Sequence, residues 1–266
     1  MRFPLRWLIP VILLGQFGLA GAGVLPDCSR PLSLALHDHG LLYSADTDSG
    51  IDKDVANELI RRSGCRITLS VLPRARIWQL IESGALDFSL SGISNPEREK
   101  FAAFAWYFTN PYYLLVRQDA KVGKLADFLG NAKLQLGVIR SFRYGTSANR
   151  FVDTLYADGR VSFASGLAPL YETLALGRIH GMIIEPFDYP ALDQRAIRAT
   201  TTILEFPDPP VPHGLIMSRK AIAPEEQAKW RTLVDAMRAD GTMLRIFEKY
   251  FPPDQARQLV HGLTNG

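Results

Sequence analysis

Leu86-Asp87-Phe88-Ser89-Leu90-Ser91-Gly92-Ile93-Ser94-Asn95-Pro96-Glu97-Arg98 is the stretch that decides the fold. Asp87 to Ser91 reads as a short strand that runs into a turn-rich segment, Gly92 to Arg98. Upstream of it, Leu32, Leu34 and Leu36 alternate as a first strand. A helix begins after Gly50, with Ile51, Val55, Leu59 and Ile60 on one face, and Gly64 ends it. Ile67, Leu69 and Val71 form the next strand, and a helix after Pro73 turns Ile77, Leu80 and Ile81 inward before Gly84. Strands alternating with helices are the mark of βαβ units and a mostly parallel sheet. In such sheets ligands gather beyond the carboxyl ends of the strands, so Gly92 to Arg98 is the first place to look for function.

Downstream, an apolar aromatic strand from Tyr112 to Val116 leads into a second alternating series: a helix near Leu125 to Leu129, a strand Leu134 to Ile139, a helix from Ser147 and a strand Val161 to Ala164. A helix Leu167 to Leu176, ended by Gly177, and a strand Met182 to Ile184 complete it. Pro207-Asp208-Pro209-Pro210 then punctuates the chain, Leu215 to Met217 makes one more strand, and three helical stretches follow at Pro224 to Arg238, Thr242 to Tyr250 and Pro253 to Gly262. Periodicity supplies these elements without their neighbours.

The N-terminus carries Arg2 and Arg6 before an apolar stretch, Trp7 to Leu19, that gives way to Ala20-Gly21-Ala22. This is the pattern of a secretory leader over residues 1–22, cleaved after Ala22. The apolar stretch is shorter than a spanning helix and holds Pro10, Gly15 and Gln16. No cysteine follows at the cleavage point, so the expected product is a freely diffusing periplasmic protein without a lipid anchor. Losing Arg2 and Arg6 from 30 basic residues leaves 28 against 27 acidic ones. The sequence pI of 8.9 therefore overstates the basicity of the exported chain, and nucleic acid is not an implied partner. With 47% hydrophobic residues the chain can fill two modest cores or one large one. Two cysteines in an exported chain usually pair. Cys28 lies just before the first strand and Cys65 just before the second, so the two would meet if those strands are parallel neighbours.

Five stretches, in this order and spacing, resemble the periplasmic solute-binding proteins of amino-acid uptake systems, the extracellular solute-binding proteins of family 3 type. They are Gly50-Ile51-Asp52-Lys53-Asp54-Val55, Leu86-Asp87 through Arg98, Leu136-Gly137-Val138, Leu176-Gly177-Arg178-Ile179 and Asp240-Gly241-Thr242. The resemblance implies an α/β, two-lobed periplasmic-binding-protein-like fold, each lobe a mostly parallel sheet flanked by helices, joined by a two-strand hinge. Residues 23–114 would begin lobe 1, residues 115–206 form lobe 2, and residues 207–266 return to lobe 1. It also implies a monomer that captures a small zwitterionic or anionic solute, an amino acid in the first instance, for the membrane permease of an ABC-type importer, with no cofactor.

The same resemblance suggests site residues. Arg98 matches the arginine that grips the ligand carboxylate, a task suited to a guanidinium fork that stays charged in a closed cleft. Ser91, Gly92 and Ser94 fall on the polar ladder beside it. Asn95 stands where threonine is usual, and the turn is one residue shorter. Glu185 matches the second-lobe aspartate that meets the ligand ammonium; its extra methylene leaves open a smaller ligand, an amine held differently or an altered role. Ser141-Phe142-Arg143 replaces a glycine and small hydroxyl residues. With Arg98, and with Arg74 at the start of its helix, Arg143 suggests a ligand with a second anionic group unless it points to solvent. Tyr43 is expected as an aromatic wall or as ordinary loop packing, and Phe142 as a second wall.

His37-Asp38-His39 invites a metal reading, but the imidazoles alternate at a strand end without a third ligand, so they are read as cleft-edge residues and no metal is expected. No Gly-x-Ser-x-Gly, His-Glu-x-x-His or Gly-rich phosphate loop is present, which favours binding over catalysis. Two alternatives stay open: an enzyme of cyclohexadienyl-dehydratase type on the same scaffold, with Glu185 as general acid, and a soluble ligand-sensing partner of a receptor.

Overall fold

The computed structural model describes residues 25–263, so the expected leader and its cleavage after Ala22 lie outside the described residues. The first lobe opens with β1 (Leu32–Leu36), α1 (Ile51–Ser63), β2 (Ile67–Val71), α2 (Arg74–Ser83), β3 (Phe88–Gly92), α3 (Pro96–Glu99) and β4 (Ala102–Asn110). In α1, Asp52 and Asp54 occupy the first turn and Arg61 and Arg62 the last, both complementing the helix dipole. Its buried Ile51, Val55 and Leu59 face the sheet, and Gly64 closes it in the left-handed conformation.

The chain then crosses to a second lobe: β5 (Tyr113–Arg117), α4 (Leu125–Gly130), β6 (Leu136–Ile139), α5 (Thr146–Ala157), β7 (Val161–Ala164), α6 (Leu167–Ala175), β8 (Gly181–Ile184), α7 (Tyr189–Gln194) and β9 (Thr201–Glu205). It returns through β10 (Val211–Ser218) and finishes with α8 (Pro224–Ala239), α9 (Thr242–Phe247) and α10 (Pro253–His261). The two sheets have the orders β2-β1-β3-β10-β4 and β7-β6-β8-β5-β9. In the first, β1 pairs with β2 and β3 in parallel, while β10 runs antiparallel between β3 and β4. In the second, β6 is parallel to β7 and β8, and β5 is antiparallel to β8 and β9.

Two connections therefore join the lobes, β4 to β5 and β9 to β10. The crossing falls at residues 111–112, so the border expected after residue 114 cuts into β5, which belongs to the second sheet. The return falls at 206–210. The three C-terminal helices pack on the first lobe: Trp230, Val234, Met237, Met243, Phe247 and Val260 share one apolar core with Leu34, Val55 and Phe88. An ion pair between Arg62 and Asp240 at 2.7 Å fastens the return on the outside.

Strand β4 was not apparent from the sequence. Eight of its nine residues are buried, so both faces are covered and the apolar run lacks the alternation that marks a half-exposed strand. The cysteine pairing is realised. Leu32 is in register with Ile67 on parallel neighbours, which brings the starts of β1 and β2 together, and Cys28 and Cys65 form a disulfide with Cα atoms 4.9 Å apart. Closing a loop of sequence separation 37 restricts the unfolded chain by roughly 4 kcal/mol in the chain-entropy model.

The lobes are also tied by a segment just beyond β8. The Phe187 ring is fully buried against Phe108, Phe247 and Phe251 of the first lobe, and its carbonyl accepts the Leu41 N–H at 3.0 Å. Gly40, at φ +52, permits this approach, because a Cβ there would lie 2.4 Å from the Phe187 carbonyl oxygen. Among the described residues no helix is long and apolar enough to cross a membrane.

Candidate functional site

The carboxyl ends of β1 and β3 in the first lobe and of β8 in the second face one another across a narrow cleft with room for little more than a water molecule, about 20 Å³. First-lobe elements supply Arg74, Trp78, Ser91, Gly92 and Arg98 to its lining, and second-lobe elements supply Phe142, Arg143 and Glu185. These include seven of the ten residues expected from the sequence.

Arg98 is positioned by its short helix. The Asn95 side chain accepts the Arg98 backbone N–H at 2.8 Å and sets the turn, with Pro96 at the first helical position. The guanidinium then reaches across the gap. Nη1 donates to the Ile93 carbonyl at 3.0 Å, Nη2 donates to the Ser141 carbonyl of the second lobe at 2.8 Å, and the group lies 4.0 Å over the Trp78 ring. Burial, reinforced by the neighbouring Arg74, lowers its pKa to about 9. Arg74, buried at the start of α2, donates to the Leu90 carbonyl at 3.1 Å and stands 5.7 Å from the Phe142 ring. Among the described residues neither guanidinium has a carboxylate within ion-pair distance; their partners are main-chain carbonyls.

Beside them, Ser91 takes a positive φ of 51° at the end of β3, and its hydroxyl donates to Asp52 Oδ1 at 2.5 Å. The Tyr107 hydroxyl also donates to Asp52, at 3.2 Å. Burial pushes the Asp52 carboxyl up to about 6 against these bonds. Gly92 is demanded by packing: a Cβ there would fall 2.3 Å from the Ile216 side chain on β10.

The opposite end of the cleft is differently built. Glu185, at the end of β8, is buried. Its Oε1 accepts from His39 Nε2 at 2.5 Å, and its Oε2 accepts from the Asn110 amide. Burial opposes charge on both partners, but the attraction prevails: it raises the pKa of His39 and lowers that of Glu185. Both shifts favour the charge-separated pair, imidazolium against carboxylate. Asp188 Oδ2 accepts the Glu185 backbone N–H at 3.0 Å, and burial drives the Asp188 carboxyl up to about 7 despite the pull of His39.

His213 lines the floor. It donates from Nδ1 to the Val211 carbonyl at 2.8 Å and accepts the Tyr112 hydroxyl at Nε2, also at 2.8 Å. Burial lowers it to about 4, so it is neutral, in keeping with its acceptor role.

A model of bacterial extracellular solute-binding proteins, family 3, matches residues 41–253. The chain belongs to this family. Solved structures share the fold of this solute-binding protein. An ancestral arginine-binding protein bound to arginine superposes with a TM-score of 0.71 at 19% identity, over 85% of this chain and 100% of that one. The substrate-binding protein of an ABC uptake transporter from Streptococcus pneumoniae, with bound histidine, gives 0.70 at 14% identity, over 83% and 92%. The ancestral amino-acid-binding protein AncCDT-1, a precursor of cyclohexadienyl dehydratase, gives 0.68 at 21%, over 83% and 95%. No curated protein matches the chain.

Three of the residues expected in the site of this solute-binding protein lie elsewhere. The Tyr43 ring is packed in the first-lobe core, and its hydroxyl donates to Asp48 at 3.0 Å. Ser94 lines a separate groove with Pro96 and Asp208. The exposed Ser141, at φ 64°, contributes its carbonyl to Arg98 and does not line the cleft. Arg143 sits at the rim, about half exposed, 3.5 Å from Asp153. His39, read as a cleft-edge residue, is almost fully buried within the cleft wall, and the Phe142 ring lies tilted against it and also near Arg74. Among the described residues no group of three His, Cys, Asp or Glu side chains could hold a metal ion.

Sequence reasoning missed Trp78, Tyr112, His213 and Asn110. Asn110-Pro111-Tyr112 and Val211-Pro212-His213 both lie at crossings between the lobes. A proline beside a polar residue at each end of an expected two-strand hinge is the signal that could have found them.

Proposed function

We propose that this chain is a periplasmic binding protein, exported by a leader cleaved after Ala22, that closes its lobes as a monomer around a small solute bearing a carboxylate. It then presents that solute to the permease of an ABC-type importer. The observation that carries this reading is the pair of buried guanidiniums, Arg98 and Arg74, whose partners are carbonyls alone among the described residues. A buried cation without a counter-ion costs several kcal/mol, and an arriving carboxylate removes that cost while accepting paired N–H bonds. Arg98 already bonds to both lobes, so a ligand held by it favours the closed arrangement over the open one.

The structural neighbours, described as proteins bound to arginine or histidine and in one case as part of an ABC uptake transporter, are consistent with such a role. The dehydratase-type alternative needs a carboxylic acid able to give up a proton. Glu185 is instead kept ionised by His39, which favours capture.

Thermal-shift screening against amino acids, dicarboxylates, polyamines and prephenate, followed by calorimetry on the hits, tests the reading. A carboxylate ligand should bind, and Arg98→Ala should weaken it at least 100-fold through lost charge-assisted bonds, each worth about 1.5–3 kcal/mol. Unchanged affinity in Arg98→Ala, or turnover of prephenate, would overturn it.

A further inference from the structure

The acidic end of the cleft offers a ligand ammonium no free oxygen of Glu185, and the unpartnered acceptors behind it, Asn110 Oδ1 and Asp188 Oδ1, are buried and do not line the cleft. Both Glu185 oxygens are engaged, one by the His39 imidazolium at 2.5 Å and the other by the Asn110 amide, and the carboxylate is 4% exposed. His39 comes from the end of β1 in the first lobe and Glu185 from the end of β8 in the second. The protein thus supplies across its own gap the cation that a zwitterion would otherwise bring. An ammonium entering here would have to displace a buried ion pair and leave an imidazolium uncompensated.

The free bonding capacity of the remaining wall is of the opposite kind. A guanidinium has five N–H donors. Arg98 uses two of them and Arg74 one, all on carbonyls. The indole Nε1 of Trp78, buried in the same wall, has no partner among the described residues. Asp52, the acid beneath this end, is occupied by Ser91 and Tyr107 and lies outside ion-pair distance of Arg74.

We infer that the solute is a small dicarboxylate without an ammonium group, one carboxylate held by Arg98 and the other by Arg74, with His39 standing where an α-ammonium would sit. This rests on the capture reading above and narrows its substrate class. It also gives the glutamate at 185 a purpose: one methylene more than aspartate extends the carboxylate toward His39.

Calorimetry on the wild-type protein with matched pairs, succinate against aspartate and glutarate against glutamate, is the test. The deaminated member of at least one pair should bind 10-fold or more tighter than its amino acid. Tighter binding of aspartate or glutamate overturns this inference and leaves the capture reading standing. Silence of all four compounds overturns the dicarboxylate assignment, and silence of the wider screening panel as well overturns capture itself. His39→Ala, which frees Glu185 Oε1, should swing the preference toward the amino acid by 10-fold or more. An unmoved preference in a variant with wild-type far-UV circular dichroism would overturn the role given to His39, and the wild-type comparison decides the question even if that variant does not fold.

Discussion

The two ends of the cleft are both buried, both charged and both built at strand ends, yet they stand in opposite states. At the Arg98 end the charge has carbonyls and an aromatic face but no counter-ion among the described residues. At the Glu185 end the carboxylate has a cation beside it and each of its oxygens is bonded, leaving His39 Nδ1 and Asn110 Oδ1 of that network without partners among the described residues. The difference separates two kinds of buried ion. A satisfied one is part of the scaffold, and its removal harms the fold. An unsatisfied one is a standing cost that a ligand can remove, and its deletion harms binding while sparing the fold.

The largest effect should follow from breaking the satisfied end. Glu185→Ala leaves the His39 imidazolium buried beside a vacated partner, and equilibrium denaturation should show a loss of about 3–5 kcal/mol. The same experiment on Arg98→Met should show the reverse. Methionine can fill much of the same space against Trp78 without a charge to desolvate, so the unliganded protein should be unchanged or more stable by roughly 1–2 kcal/mol while carboxylate binding is lost. If both substitutions destabilise equally, the two ends do not differ in the way described.

How much of this contrast was legible in the sequence follows from where each residue sits. Arg98 and Glu185 could be picked out because each matches a ligand-holding position in the family the sequence resembles, and their place just beyond strand ends agrees with where α/β lobes gather ligands. Their surroundings could not. The partner of Glu185 lies 146 residues away in the other lobe, and only the strand orders of two sheets bring His39 to it. Trp78 sits on a helix as an ordinary inward aromatic until Arg98 folds over its ring. Tyr43, expected as a wall or as ordinary packing, has its ring turned into the core by the loop after β1, a choice made by tertiary packing that periodicity cannot register. Strand β4 escaped for a related reason, since cover on both faces erases the alternation by which strands are recognised. The leader pattern, by contrast, is purely local and was read without any knowledge of the fold.

The smallest effect is a pH dependence that sharpens the contrast, because nearly all the titrating burial belongs to the walls around Glu185 and Asp52. Below about pH 6.5 the trends oppose. Asp52, raised to about 6, and Asp188, raised to about 7, bind protons more tightly in the folded state, so they favour folding at low pH and lose that contribution as pH rises. His213, lowered to about 4, and His37, also lowered by burial, bind protons more weakly when folded and so favour folding as pH rises toward 6.5. Glu185, whose folded pKa is depressed, adds stability above the ordinary carboxylate range and loses it only in acid. Above pH 6.5 the two neutral histidines still add a little, about 0.4 kcal/mol each, because the unfolded imidazoles are half protonated at 6.5 and finish releasing their protons above it. His39, whose folded pKa is raised, and Asp188 hold their protons longer in the folded state and so act in the opposite direction, each lowering stability between pH 6.5 and 8. The Asp188 contribution is a loss of roughly 1 kcal/mol or less, given its value near 7. Asp188→Asn, whose amide oxygen can still accept the Glu185 N–H, should therefore raise the denaturation midpoint at pH 8 relative to that at pH 6.5 by comparison with wild type, whereas Arg98→Met should keep the wild-type slope. Equal slopes in wild type and Asp188→Asn would remove this carboxyl from the account and leave His39 as the group titrating at the satisfied end.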